Sequence, residues 1–271
     1  MGKCQALAGS KSCRQIISVN KMIFPDYIDV WDSFIQKWMK SPCVLHPLLE
    51  EGLSCDYLPE PYYGDMNKCS IVIVNLNPGG GQCYQCWHNQ DIPETAVNEV
   101  KNSGYSNYAK DFPLLSGAGG TASSRWWKSR NKWMESILNC MVVKTNNKPF
   151  AIELCPLHSA EFKISNPTAY VKKMKSFNPD LDVVEAIKWA VNHSDAKLGL
   201  AIGKSIYNLL LDNGFIDTTK ASSYSKPSIH REYRLVENNG VRIMCTWARG
   251  GNTAPASNWG GFESHFIKKN L

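Results

Sequence analysis

Asn75-Leu76-Asn77-Pro78-Gly79-Gly80-Gly81 follows the apolar run Ile71-Val72-Ile73-Val74. Pro78 fixes one backbone angle, and the glycines let the main chain approach a ligand closely. Asn77 is then offered with both a hydrogen-bond donor and an acceptor. The same residues also suit a tight turn in which Asn77 serves as a local cap. A second candidate is Ile152-Glu153-Leu154-Cys155-Pro156-Leu157-His158. Glu153 interrupts an apolar strand near its end, where a carboxylate is costly unless it is paired or reaches a pocket. A salt bridge to a nearby Lys or Arg is the structural alternative. A third is Thr246-Trp247-Ala248-Arg249-Gly250-Gly251-Asn252, which joins an aromatic, a planar cation and glycines. That mixture suits phosphate contact or insertion into a base stack; a surface loop with a packed Trp is the plainer reading.

Two further segments carry possible ligand chemistry. Gly117 to Arg125 combines small residues, the hydroxyls of Ser123 and Ser124, and Arg125 ahead of a Trp-rich helix. This makes a phosphate seat at a helix N-terminus, or a flexible linker. It lacks the Gly-Lys-Ser/Thr ending of a triphosphate loop, so nucleotide triphosphates are not expected. Cys83, Cys86 and His88 offer three zinc ligands; a fourth, such as Cys155 or His158, is not adjacent in sequence. Such a pattern is common without metal, and neither a metal nor a cofactor is expected.

The elements that must position these residues read as an alternation of strands and helices. Strands are expected over Cys69–Asn75, Pro149–Leu154, Leu198–Ile202 and Val241–Thr246. Asp26 is expected to cap a helix carrying Ile28, Trp31, Phe34, Ile35 and Trp38, which Pro42 ends. Trp126, Arg130, Trp133, Met134, Ile137, Leu138 and Met141 share one face of another helix. Further helices are expected over Thr168–Ser176, Leu181–His193, Lys204–Leu211 and roughly Gly260–Lys268, with at most one short helix near Glu94. Leu58 to Gly64 reads as an ordered loop. The predicted fold is α/β, with a mostly parallel central sheet of about four strands flanked by helices on both faces. Ligands of such sheets lie beyond the carboxyl ends of the strands, where all three polar loops begin.

N-L-N-P-G after an apolar strand resembles the first motif of the uracil-DNA glycosylase superfamily. It is nearest to the G-M-N-P-G form of the single-strand-selective monofunctional branch. E-L-C-P-L at 153–157 resembles that branch's N-L-C-P-L on the second strand, and Gly203-Lys204 opening a helix also fits. The resemblance spans scattered motifs from Cys69 to Asn258. It implies a glycosylase-like fold, DNA as partner and base flipping. By position, Asn77 matches the residue that holds the attacking water, and Glu153 matches the Asn that reads uracil. Asn75, Pro78, Gly79 and His158 complete the implied base-binding set. Trp247, Arg249, Gly250 and Asn252 fall in the loop that presses into the minor groove. That loop reads H-P-S in the family and Thr246-Trp247-Ala248 here, so Arg249 becomes the substitute leaving-group donor. Asn75 replaces a Gly.

The change from Asn to Glu at 153 has a physical consequence. An ionised carboxylate only accepts, so it opposes uracil O4 but accepts from a cytosine amine; protonated, it also donates to ring N3. The residue therefore argues for cytosine or a modified cytosine over uracil. Unmodified cytosine would be a toxic target, so a modified one is the expected substrate, and defence against phage with modified DNA is one setting. A non-catalytic modified-base binder, a uracil-DNA glycosylase and a small-nucleoside hydrolase remain the alternatives.

Composition sets the outer bounds. The chain has 271 residues, 43% hydrophobic and 20% charged, enough for a sizeable core. Residues 1–20 read as a loose arm and 21–271 as one domain. The net charge of +6 suits a polyanion without requiring one. Ten cysteines without a disulfide-like spacing, and no apolar run of membrane length, lead to the expectation of a cytoplasmic monomer away from membranes.

Overall fold

A computed structural model describes residues 24–55, 57–76, 94–110, 122–144, 148–159, 164, 166–220, 224–226, 229–248 and 262–271. The expected N-terminal arm lies outside these residues. In chain order the elements are α1 (Phe24–Trp38), β1 (Leu53–Ser54), β2 (Tyr62–Tyr63) and β3 (Cys69–Asn75). Next come α2 (Glu94–Ser103), α3 (Tyr105–Lys110), α4 (Ala122–Cys140), β4 (Lys148–Glu153) and β5 (His158–Ser159). They are followed by α5 (Pro167–Phe177), α6 (Val183–His193), β6 (Leu198–Ile202), α7 (Lys204–Asp212) and β7 (Ile216–Asp217). The last are β8 (Tyr224–Lys226), β9 (Ile229–Asn238), β10 (Val241–Ala248) and α8 (Phe262–Asn270).

Among the described residues the main sheet has eight strands, ordered β2-β4-β3-β6-β10-β9-β7, with β8 pairing β9 to one side. The four expected strands form its contiguous parallel block, β4-β3-β6-β10. The expected total of four is corrected to eight, because antiparallel strands extend both flanks of that block. The largest addition is β9, which returns antiparallel to β10 through Asn239 and Gly240, both at positive φ (49° and 82°). An Asn-Gly pair supplies that geometry with little strain, and its twist matches the strands it joins. At the other flank, β2 is two residues long and hemmed by Pro61 and Gly64, which is why the segment reads as a loop.

Helices cover both faces of the sheet. On one face, α1, α5, α6 and α7 pack on Val72, Val74, Phe150, Ile152, Ile243 and Cys245. On the other, Trp133, Met134, Ile137 and Leu138 of α4 and Phe266 of α8 meet Ile71, Leu200 and Met244. Strands buried on both faces are largely apolar, as β3 is from Ile71 to Val74; the buried Ser70 before that run donates its hydroxyl to Lys148 O at 3.2 Å. Gly199 lets α6 come close: a Cβ there would lie 3.1 Å from both Val191 Cγ2 and Ile243 Cγ1. Several element ends differ from expectation by a few residues, and one expected helix is two. Helix α1 begins at Phe24, so Asp26 belongs to its first turn and is not its cap. It ends at Trp38, and Pro42 opens a separate 3₁₀ helix, Pro42–Leu48. Two helices, α2 and α3, stand where one short helix was expected. Among the described residues no helix is long and apolar enough to cross a membrane.

Candidate active site at the carboxyl edge of the sheet

Parallel strands end on one edge, so β4, β3, β6 and β10 deliver Glu153, Asn75, Ile202 and Ala248 to the same side of the molecule. Taken by chain order, these four strands lie 2-1-3-4 across the sheet. The order reverses between β3 and β6, and such a reversal opens a crevice at the carboxyl ends where ligands bind. Leu76, which follows β3, and the turn at Gly203 flank that point. Gly203 has φ +134°, which favours glycine, and its N–H donates to Thr246 O at 2.9 Å.

Side chains alternate along each strand. Val72, Val74, Phe150 and Ile152 face the first helix layer, so Ile73, Asn75, Ala151 and Glu153 face the side of α4. There Tyr63 and Trp127 pack with Ile73 and Ala151, their rings edge to face at 5.9 Å. Asn75 and Glu153 are the polar continuation of this layer toward the sheet edge. They are register partners across β3 and β4. Asn75 Nδ2 donates to Glu153 Oε1 at 2.8 Å, and Glu153 is only 2% exposed. Glu153 Oε2 is buried with no hydrogen-bond partner among the described residues. Burial pushes the carboxyl up to about 8; the Asn75 hydrogen bond opposes that rise, the Glu60 charge adds to it, and Arg130 opposes it. Burial also pulls Arg130 down, while Glu153 holds it up. The hydrogen bond that Glu153 makes is thus to an amide, set in a field of mixed charges.

The loop before β2 closes over this pair. The Glu153 N–H donates to Pro61 O at 3.0 Å, and the Glu60 N–H to Pro156 O at 2.9 Å. Tyr63 donates its hydroxyl to Glu60 Oε2. His158 Nε2 lies 3.1 Å from Leu58 O and 3.3 Å from the same Glu60 oxygen. The site therefore gathers two carboxyl groups, a guanidinium, an imidazole and a phenol. Sequence reasoning did not single out Glu60, Tyr63 or Trp127, and placed Arg130 only on a helix stripe. A carboxylate between two prolines, Pro59-Glu60-Pro61, was the available signal.

Of the expected site residues, the structure brings Asn75 and Glu153 into contact and sets His158 behind them, against Glu60. Asn77, Pro78, Gly79, Arg249, Gly250 and Asn252 lie outside the described residues, as do Cys83, Cys86 and His88. Ser123, Ser124 and Arg125 fall within the first turn of α4, which starts at Ala122; they do not form a loop ahead of it. Trp247 lies on β10, which runs two residues further than expected, paired with Glu232 and packed on Tyr207 with ring centres 5.1 Å apart. It is thus part of the sheet and not of the loop that follows. Cys155, weighed as a metal ligand, is buried, and its thiol is pushed up to about 12. Searches against family models, curated proteins and solved structures find no match to this chain.

Proposed function

We propose that the protein is a monofunctional DNA glycosylase that removes a modified cytosine-type base and leaves an abasic site. The observation that carries this reading is the buried Asn75–Glu153 pair at the carboxyl edge of the sheet, two residues before Asn77 in the chain. A buried carboxyl with an unused oxygen at a strand end is suited to a hydrogen bond with an entering ligand. The N-L-N-P-G and E-L-C-P-L motifs supply the nature of that ligand.

In this reading the target nucleotide flips out of the stack into the crevice. Asn77 holds a water below the sugar. The water oxygen bonds to C1′, and the C1′–N bond breaks through an oxocarbenium-like state. The electron pair leaves with the base, which takes up a proton, and the water loses one. Arg249 steadies the charge that develops on the base O2. Glu153 reads the exocyclic amine of the base. A setting in defence against phage with modified DNA follows from that substrate.

One observation favours a second reading, a binder of modified bases without cleavage. Trp247 stands on strand β10 where the family carries the loop with its His. Abasic-site formation on an oligonucleotide with glucosylated 5-hydroxymethylcytosine separates the two. The glycosylase reading expects strand breaks after alkali; tight binding with no breaks would favour the binder.

A further inference from the structure

Within the proposed base pocket, the two oxygens of Glu153 are not equivalent. Oε1 accepts from the Asn75 amide at 2.8 Å, whereas Oε2 is buried without a partner among the described residues. An N–H donor aimed at one oxygen of a carboxyl group favours the carbonyl form there and leaves the proton to the other oxygen. We infer that Glu153 recognises its ligand as a neutral acid, donating from Oε2–H to an unprotonated ring nitrogen and accepting an exocyclic amine on Oε1, with Asn75 fixing that order. The inference rests on the reading of Glu153 as the base-contacting residue.

The surroundings favour a neutral group. Glu60 faces Glu153 from the loop before β2 and opposes its ionisation, and Arg130 faces it from α4 and favours ionisation. The Glu153 charge would in turn raise Tyr63, Tyr27, Tyr105 and Cys155, and burial raises all four further, so they stay uncharged near neutral pH. Desolvation of a group this deeply enclosed outweighs the pull of Arg130, and the carboxyl is held up to about 8. A cytosine-type edge meets both groups: N3 receives the Oε2 proton, and the 4-amine donates to Oε1. Uracil meets neither, because its N3–H would face a donor and its O4 an acceptor. Asn75 is then a positioning residue for specificity.

The test is infrared spectroscopy of the full chain with ¹³C-labelled glutamate, wild type against Glu153→Gln. The expected result is a carboxylic-acid C=O band at about pH 6.5 that fades by about pH 9 and is absent from the variant. A wild type with only carboxylate bands at pH 6.5 overturns the inference, whatever its activity. Base release from matched oligonucleotides supplies the second arm. For wild type it should fall about tenfold between pH 6.5 and pH 9, following the neutral fraction of a group titrating near 8. Glu153→Gln keeps a donor and an acceptor in the same places but cannot titrate, so the base release it retains should lose that decline. Asn75→Ala should narrow the preference for modified cytosine over uracil. A Gln variant as inactive as Glu153→Ala, with its fold intact by circular dichroism, would also overturn the inference. An acid band with no base release from any oligonucleotide would instead remove the glycosylase reading and leave the proton on Glu153.

Discussion

Glu153 would ionise near 4.5 in an unfolded chain and titrates near 8 in the native one, because burial disfavours its charge. Between those values the native state holds more protons than the unfolded state. Its contribution to stability therefore falls as pH rises from about 4.5 to about 8 and is level above that. Glu153→Gln removes this slope. Urea unfolding of the variant should therefore gain on wild type across that window, by at most about 1.4 kcal/mol for each step of one in pH. Parallel pH profiles for the two proteins would show that Glu153 is ionised when buried. At Asn77 the expectation is catalytic: Asn77→Ala should lower base release by roughly 100-fold or more while DNA binding persists. Near-wild-type turnover would take Asn77 out of the mechanism, and loss of fold would mark it as a turn residue. At this scale the sequence made Glu153 conspicuous, since a lone carboxylate in an apolar strand is costly. It did not reveal Asn75 as its partner, because that contact depends on the register between β3 and β4.

The elements that hold the site are the four parallel strands, and Gly199 at the centre of that block lets α6 pack close. A larger side chain would press on Val191 and Ile243, each already at 3.1 Å from where a Cβ would stand. Gly199→Val should cost about 1–3 kcal/mol, read as a lower urea midpoint, as overpacking of a core does. An unchanged midpoint would mean that α6 shifts freely. The four parallel strands were legible from short apolar runs followed by glycine or polar turns. The hairpin partner β9 was not picked out, although Asn239-Gly240 marks its turn; His230, Arg231, Glu232 and Arg234 obscure its apolar alternation. Likewise Tyr62-Tyr63 pairs for only two residues, too short for any period to show. Tertiary pairing decided both.

For the whole molecule, the net charge of +6 and a polyanionic ligand together predict electrostatic binding. Affinity for an oligonucleotide should fall steeply with salt, by roughly tenfold or more between about 50 and 200 mM for a few neutralised phosphates. Affinity that stays flat over that range would argue for a small-molecule ligand in the same crevice. The central claim concerns which base enters it. The most direct measurement is abasic-site formation on matched oligonucleotides that differ only in one target base: uracil, cytosine, 5-hydroxymethylcytosine or its glucosylated form. Wild type should release a modified cytosine and spare uracil, and Glu153→Asn should lose that activity while gaining some on uracil. A wild type that prefers uracil, or a variant that keeps the wild-type preference, would contradict the account.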